Sequence, residues 1–424
     1  MRRRLLRRLL TLLSGTTAAQ LLPVMTAPVI ARKFDTSEFG IFGLFVAASA
    51  ICATVANLKF ENAILSARSN VAVEAILGLS VLINLAAGLV IAAGLALITF
   101  SGCLTSLTAP THLAIFLPLS LMLAGMVQAL SNVALRAENF KSVARSRWAA
   151  AAVTATLSLL AAFANPTATA LVAASIAGQT TAFYLLWRTN RFQNGITPKF
   201  RRSRMGSVAK RNWRFAAFTS PADLLNSLAS NLPALILGSL YGTTATGAYI
   251  LAQRVIGTPL MLLGSAFSDI YRQMVGQRAA GGLPYWNVTL RMLGFLVPIG
   301  IFVLTFMLAL GRDAINVLLG AHWTMVGDIC DIMIFVYVIR FIVSPLTFSF
   351  YLEHRHAEDL MLQALSALAV SIIFLAAKSY NWPLGQYLGG LAIALSTVYL
   401  LYGIRCIQFS RDSNKLATLN RETS

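Results

Sequence analysis

At 424 residues, 57% hydrophobic and only 12% charged, the chain is too apolar for a soluble protein, in which charged residues run near ~25%. A net charge of +19 would suggest nucleic acid in a soluble chain. Here the basic residues sit in short gaps between apolar runs of about 20 residues, each long enough to cross roughly 30 Å of hydrocarbon as a helix, so no nucleic-acid partner is expected. Four scattered cysteines (Cys52, Cys103, Cys330, Cys406) suggest neither a disulfide framework nor a zinc site, and no metal or other cofactor is expected.

The chain opens M-R-R-R-L-L-R-R-L-L, which looks like the start of a signal peptide but runs on too far without a cleavage site, so a retained first helix is expected from about Leu9 to Ile30. Further spans are expected near 40–57, 75–100, 112–135, 145–164 and 167–187. Arg188 to Arg214 then forms a seam with nine Arg or Lys and no Asp or Glu. Beyond it, spans are expected near 215–240, 247–270, 288–310, 327–350, 359–379 and 385–408, making twelve. The organisation predicted is an all-α integral membrane protein with an N-terminal bundle (1–187), a basic cytoplasmic linker (188–214) and a C-terminal bundle with a short tail (215–424).

Orientation follows from charge. With the N-terminus in the cytoplasm, 28 of the 34 Lys and Arg fall in cytoplasmic segments and only Arg32, Lys33, Arg312 and Lys378 fall outside. That bias predicts that both termini are cytoplasmic. The longest external gap is expected at 311–326.

The two halves repeat. Phe34-Asp-Thr-Ser-Glu-Phe-Gly-Ile-Phe42 lies over Tyr241-Gly-Thr-Thr-Ala-Thr-Gly-Ala-Tyr249 at an offset of 207 residues, each between the first two helices of its half. Six helices per half keep both copies in the same orientation, as in transporters built of parallel repeats.

Several blocks resemble Wzx-type O-antigen and polysaccharide flippases. They are S-G-T-T-A-A-Q-L-L-P (Ser14–Pro23), R-K-F-D-T-S-E-F-G-I-F (32–42), L-K-F-E-N-A-I-L (Leu58–Leu65), S-P-A-D-L-L-N-S-L-A-S-N-L-P (Ser220–Pro233) and G-A-Y-I-L-A-Q-R-V-I-G-T-P-L (Gly247–Leu260). The resemblance implies the multidrug/oligosaccharidyl-lipid/polysaccharide exporter fold, two six-helix bundles around a central cavity. It also implies a bacterial inner-membrane protein that moves undecaprenyl-pyrophosphate-linked oligosaccharide for O-antigen, exopolysaccharide or capsule assembly. Expected partners are that substrate, membrane lipid, a coupling H+ or Na+, and polysaccharide polymerase or chain-length proteins.

Polar stripes give the residues their own case for a cavity. Ser220, Asp223, Ser227, Ser230 and Asn231 share one face of the seventh helix, and Gln20 is the 207-offset equivalent of Ser227. Arg254, Thr258, Met261, Ser265 and Asp269 run along the eighth, and Tyr337, Arg340, Ser344, Thr347 and Tyr351 along the tenth. Lipid rejects such faces, so they are expected to line a bundle interior or a watery cavity. Arg254 and Arg340 present permanently charged forks suited to phosphate oxygens, with Lys59 a further cation at the entrance. The competing expectation is a structural ion pair, for example Arg340 with Asp223. Glu61 beside Lys59 reads as an ion-coupling group, a pyrophosphate contact at entry, or one half of a local ion pair. Glu353-His354-Arg355-His356 reads as a solvated turn rather than a metal site.

No Walker A motif or nucleophile elbow appears in the sequence, so neither ATP-driven transport by this chain alone nor an enzyme is expected. A drug or organic-cation exporter of the same fold is the alternative. A polysaccharide polymerase or ligase ranks below it, because such enzymes need a larger external loop.

Overall fold

The computed structural model describes residues 20–23, 25–67, 69–100, 115–192, 195–280, 283–320, 323–353 and 355–422. Most of the expected first helix, with Thr16 and Thr17, lies outside them, as do Cys103 and His354. Among the described residues the chain is all helix, and ten helices are long and apolar enough to cross a membrane. Over the described residues, each expected span coincides with a helix. Two are not among the ten: the described part of the first, residues 20–23 and 25–33 (α1), and Ser220–Leu240 (α9), whose Ser, Asp and Asn lower its hydropathy.

One connection differs from expectation. The helix Trp286–Leu319 (α12) runs through Gly311 and Arg312, and Thr324–Val343 (α13) begins five residues after it ends, so the 311–326 gap is mostly helix. Arg312 sits on the α12 extension and bridges to Asp328 (3.0 Å) and Asp331 (2.7 Å) on α13, which ties the hairpin and makes the polar residues there helix-compatible.

The chain divides into two compact units, Met1–Gly247 and Ala248–Ser424. In the first, Thr36–Val55 (α2) packs along α9, and Asn70–Phe100 (α4), Phe116–Arg136 (α5), Phe140–Ala164 (α6) and Ala168–Phe192 (α7) form a bundle. A short helix, Ala63–Ser66 (α3), lies between α2 and α4. Asparagine amides fasten this bundle to the α5 backbone: Asn57 donates to the Gly125 carbonyl (2.8 Å), Asn84 to Met122 (3.1 Å) and Asn190 to Leu130 (2.9 Å). In hydrocarbon such bonds contribute roughly 0.5–2 kcal/mol each.

Ile64, Leu77, Val133, Val143 and Leu186 form an apolar cluster at one end of these helices, and the basic seam folds onto it. Its helix Arg202–Arg214 (α8) turns Met205 and Val208 inward and leaves Arg204, Lys210, Arg211 and Arg214 exposed. Lys199 anchors it twice, through its amide to the Glu74 carbonyl (3.2 Å) and its ammonium to the Glu74 carboxylate (2.9 Å). The seam is therefore a packed element of the first unit rather than a free tether.

The first copy of the 207-residue repeat and the second as far as Gly247 also lie in the first unit, and they cross. A Cβ on Gly40 would stand 1.8 Å from the Thr243 carbonyl oxygen, and one on Gly247 would stand 2.2 Å from the Thr36 carbonyl oxygen. Thr36 and Thr243 are themselves a 207-offset pair, each four residues before its glycine. Small residues four apart let helix backbones touch. The conserved spacing inside the repeat is thus the crossing contact between its two copies.

In the second unit α13 packs on α12 and on Leu384–Glu422 (α16), which also receives His356–Ser379 (α15). Trp323, Tyr271, Tyr387 and Phe350 are fully buried. The Tyr271 hydroxyl lies 3.0 Å from both Thr289 and Ser349, and Ser410 donates to Thr289 (2.7 Å), a hydroxyl network that ties four helices. Pro345 ends α13 in a 3-10 turn (Ser344–Thr347), after which Phe348–Leu352 (α14) resumes.

Candidate functional site

Two polar centres emerge, one in each unit. The first lies where the chain breaks between α2 and α3. Leu58 (φ 47°) and Lys59 (φ 60°) are both left-handed, and a single 3-10 turn, Phe60–Asn62, follows. The break carries Lys59 inward, with its ammonium 2.9 Å from the Asp223 carboxylate on α9. The Lys59 side chain is 11% exposed and that of Asp223 45%, so the pair is one buried cation held by a half-solvated anion. Asp223 therefore has its ion pair within the first unit, with Lys59, and the expected Arg340–Asp223 bridge is not the one formed. The reason is that Lys59 leaves its helix axis at the break and reaches α9, which no helical periodicity would show.

Glu61 is not the partner of Lys59 either. It is 1% exposed, and its Oε2 has no hydrogen-bond partner, as is true of the nearby Asn57 Oδ1. Burial pushes the Glu61 carboxyl up from its ordinary value, opposed by a backbone hydrogen bond and the Lys59 charge. Asn132 donates to the Glu61 carbonyl (3.0 Å) and fixes the turn. Of the other residues expected here, Ser227 donates to the Ala50 carbonyl (3.3 Å) and Asn231 to the Ser227 carbonyl (2.8 Å), so both serve helix packing. Gln20 is exposed.

The second centre is a cavity of about 370 Å³ in the second unit, beside Thr258–Ala280 (α11) and α13. Its polar lining comprises Gln253, Thr258, Ser265, Ser268, Asp269, Arg272, Tyr337, Arg340 and Ser344. Two arginines against one aspartate leave it net positive. The Arg340 guanidinium lies 5.7 Å from the Tyr399 ring centroid, and Arg272 lies 5.3 Å from that of Phe348. Tyr337 lines the cavity, and its buried hydroxyl has no hydrogen-bond partner. Asp328 and Asp331, at the start of α13, belong to the Arg312 bridges instead. Among the described residues no three His, Cys, Asp or Glu side chains cluster as a metal site, and Glu353 accepts from the Tyr285 hydroxyl (2.9 Å).

The two sequence stripes meet in this cavity only in part. Thr258, Met261, Ser265, Asp269, Tyr337, Arg340 and Ser344 line it, whereas Arg254, Thr347 and Tyr351 are not among its lining residues. Thr347 and Tyr351 follow the 3-10 turn at Pro345, and for Arg254 the cause is a π-helical turn, Gln253–Gly257, between Gly242–Ala252 (α10) and α11. The Thr258 hydroxyl there donates to the carbonyl five residues back, on Gln253 (3.3 Å). One extra residue in the turn rotates everything before it, so that Gln253 and not Arg254 continues the face. Arg272 was legible as a cation but reads as a loop residue, because the apolar run ends near 270 while the helix continues to Ala280.

The model of a family described as polysaccharide biosynthesis protein matches residues 29–327. No curated protein matches the sequence. Among solved structures, the lipid II flippase MurJ in an inward closed conformation is similar with a TM-score of 0.69 at 11% identity, over 97% of this chain and 92% of that one. An inward-facing multidrug resistance MATE family transporter of the MOP superfamily gives 0.64 at 13% identity, over 96% and 95%. A MOP superfamily transporter from Pyrococcus furiosus, whose binding pocket is described as reversed in polarity, gives 0.60 at 10%, over 96% of each chain. At these identities the likeness is one of fold.

Proposed function

Because the chain belongs to the polysaccharide biosynthesis protein family, we propose that it is a flippase carrying lipid-pyrophosphate-linked oligosaccharide from the cytoplasmic to the periplasmic leaflet of a bacterial inner membrane. The observation that carries this reading is the net-positive, hydroxyl-rich cavity around Arg340 and Arg272. A pyrophosphate passing through a low-dielectric region needs fixed positive charge, and a guanidinium offers it two parallel donors. Hydroxyl and amide side chains suit a glycan, which offers both donors and acceptors. Of the three cations expected to meet pyrophosphate, Arg340 is the one in this cavity, so the contact is assigned to Arg340. Arg254, turned off the cavity face within the π turn, and Lys59, committed to Asp223, rank after it.

The same reading takes the basic seam and both termini as cytoplasmic, the halves 1–187 and 215–424 as the repeating bundles, and Glu61 as the group through which H+ or Na+ couples to transport. Polymerase and chain-length proteins are its expected neighbours. An exporter of small organic cations shares the fold, but its cavity would need carboxylates in excess, and here arginine outnumbers aspartate.

The test is Arg340→Gln in cells that make the surface polysaccharide, with Arg340→Lys beside it. Gln should abolish surface polysaccharide while lipid-linked precursor accumulates on the cytoplasmic side, and Lys should retain part of the activity, at equal membrane levels. Full surface polysaccharide from Arg340→Gln would sink the assignment. Unchanged polysaccharide together with lost resistance to a cationic drug would favour the exporter.

A further inference from the structure

A second cavity, of about 420 Å³, lies in the first unit between α6 and α7, remote in sequence from both polar centres. Ser142, Arg145, Leu185, Arg188, Thr189 and Phe192 line it. The Ser142 hydroxyl donates to Thr189 (3.0 Å) and Thr189 donates to the Leu185 carbonyl (2.9 Å), so the hydroxyls brace the floor. Arg145 and Arg188 are exposed at its rim, and neither has an acidic partner among the described residues. No Asp or Glu occurs anywhere from Asn139 to Ala222, against twelve Lys and Arg. Lys199 of these is paired with Glu74, but Arg145 and Arg188 are not so paired among the described residues, and positive charge so concentrated at a membrane boundary calls for an anion from outside.

The apolar surroundings identify which anion. Ser142 and Arg145 lie 18 residues before Leu160 and Phe163, five full turns, and so on the same helix face. Leu160 is 60% exposed and Phe163 70%, so the face that begins at the cavity continues as an exposed apolar stripe, and it ends at Phe163, where the Lys33 ammonium stands 5.4 Å from the ring centroid. Phe192, exposed at the end of α7, adds an apolar wall beside the guanidinium groups. We infer that the α6–α7 cavity is a binding site for the phosphate of an anionic phospholipid, with Arg145 and Arg188 on the headgroup and the acyl chains running along α6 toward Leu160. Basic pockets between transmembrane helices at a leaflet boundary are suited to such headgroups. The site does not depend on the translocated substrate, and its occupant is a resident lipid.

The experiment is native mass spectrometry of the full-length protein in detergent, titrated separately with phosphatidylglycerol and phosphatidylethanolamine. One phosphatidylglycerol should be retained in preference to phosphatidylethanolamine. Arg145→Gln with Arg188→Gln should weaken it roughly tenfold or more, the loss of two charge-assisted contacts. Arg201→Gln with Arg204→Gln, which removes equal charge outside the cavity, should leave it within about twofold on the same scale. Equal retention of both lipids, or equal loss in both double variants, would overturn the inference. Displacement by millimolar inorganic phosphate would assign the site to free phosphate and overturn the lipid reading. If the Gln pair fails to insert, Arg145→Lys with Arg188→Lys should still lower retention by a few-fold, and unchanged retention there would count against the site.

Discussion

Replacing Gly40 with alanine reverses the usual sign of that substitution. In a helix interior Gly→Ala normally stabilises by about 0.5–1 kcal/mol, because alanine loses less backbone entropy. At Gly40 the new Cβ would stand 1.8 Å from the Thr243 carbonyl oxygen, 2.7 Å from its carbon and 3.0 Å from the Gly247 nitrogen. Ordinary contact begins at 3.4 Å, so the crossing must open by about 1.6 Å, and backbone atoms cannot rotate aside as a side chain would. Overpacking that moves backbone costs about 1–3 kcal/mol or more. The upper part of that range applies here, so the net loss is about 2 kcal/mol after the propensity gain. At this chain length that lowers the unfolding midpoint by roughly 2 °C. Thermal unfolding in detergent, followed by size-exclusion fluorescence, would read it. Gly247→Ala should behave alike, since its Cβ meets the Thr36 oxygen at 2.2 Å. The double variant should lose less than the sum, because one opening serves both. Gly206→Ala and Gly276→Ala, with nothing within 4 Å, should be neutral or stabilising. A Gly40→Ala protein as stable as these controls, or strictly additive losses at the two glycines, would refute the crossing.

Three further outcomes follow. Asp223→Asn strands a buried Lys59 and should cost about 2–3 kcal/mol, whereas Lys59→Met leaves a half-exposed carboxylate that water re-solvates and should cost under about 1 kcal/mol. Equal losses in the two single variants would show that the pair is not buried on the lysine side. Because burial raises the Glu61 carboxyl, its protonated form suits the folded state, and its contribution is full at low pH and lost as pH rises through the raised value. The midpoint should therefore fall more steeply in the parent than in Glu61→Gln as pH rises above the ordinary carboxylate range, and parallel profiles would argue against a titrating Glu61. Single cysteines at the exposed Ser203 and Tyr380, in a cysteine-free background, should respond oppositely to an impermeant maleimide on intact cells, with only position 380 labelled; labelling of 203 would invert the topology.

Helices and the repeat were legible because hydrocarbon imposes one rule on every span, and because the Thr–Gly spacing that recurs at 207 residues is a packing requirement in both copies. What escaped the sequence is local backbone irregularity. The π turn at Gln253–Gly257 leaves no mark in composition, yet it decides that Gln253 and not Arg254 joins the cavity face. The break at Leu58 and Lys59 likewise sends Lys59 to Asp223, 164 residues away, rather than to Glu61 two residues on. Gly311 and Arg312 read as a loop because polar residues end an apolar run, although the Arg312 bridges let the helix continue.

The break between α2 and α3 is also an energetic toggle. A non-glycine residue in the left-handed region costs about 1–2 kcal/mol, and Leu58 and Lys59 are two in succession. Against that stand the Lys59–Asp223 bridge and the hydrogen bonds Asn57–Gly125 and Asn132–Glu61, which return roughly 0.5–1.5 kcal/mol each. The two sides nearly cancel. Uncoiled, the segment keeps its lysine on Asp223; recoiled into the helices on either side, it would withdraw that lysine and rotate whatever precedes it. A ligand or proton that favours one form over the other by only a few kcal/mol is enough to choose between them.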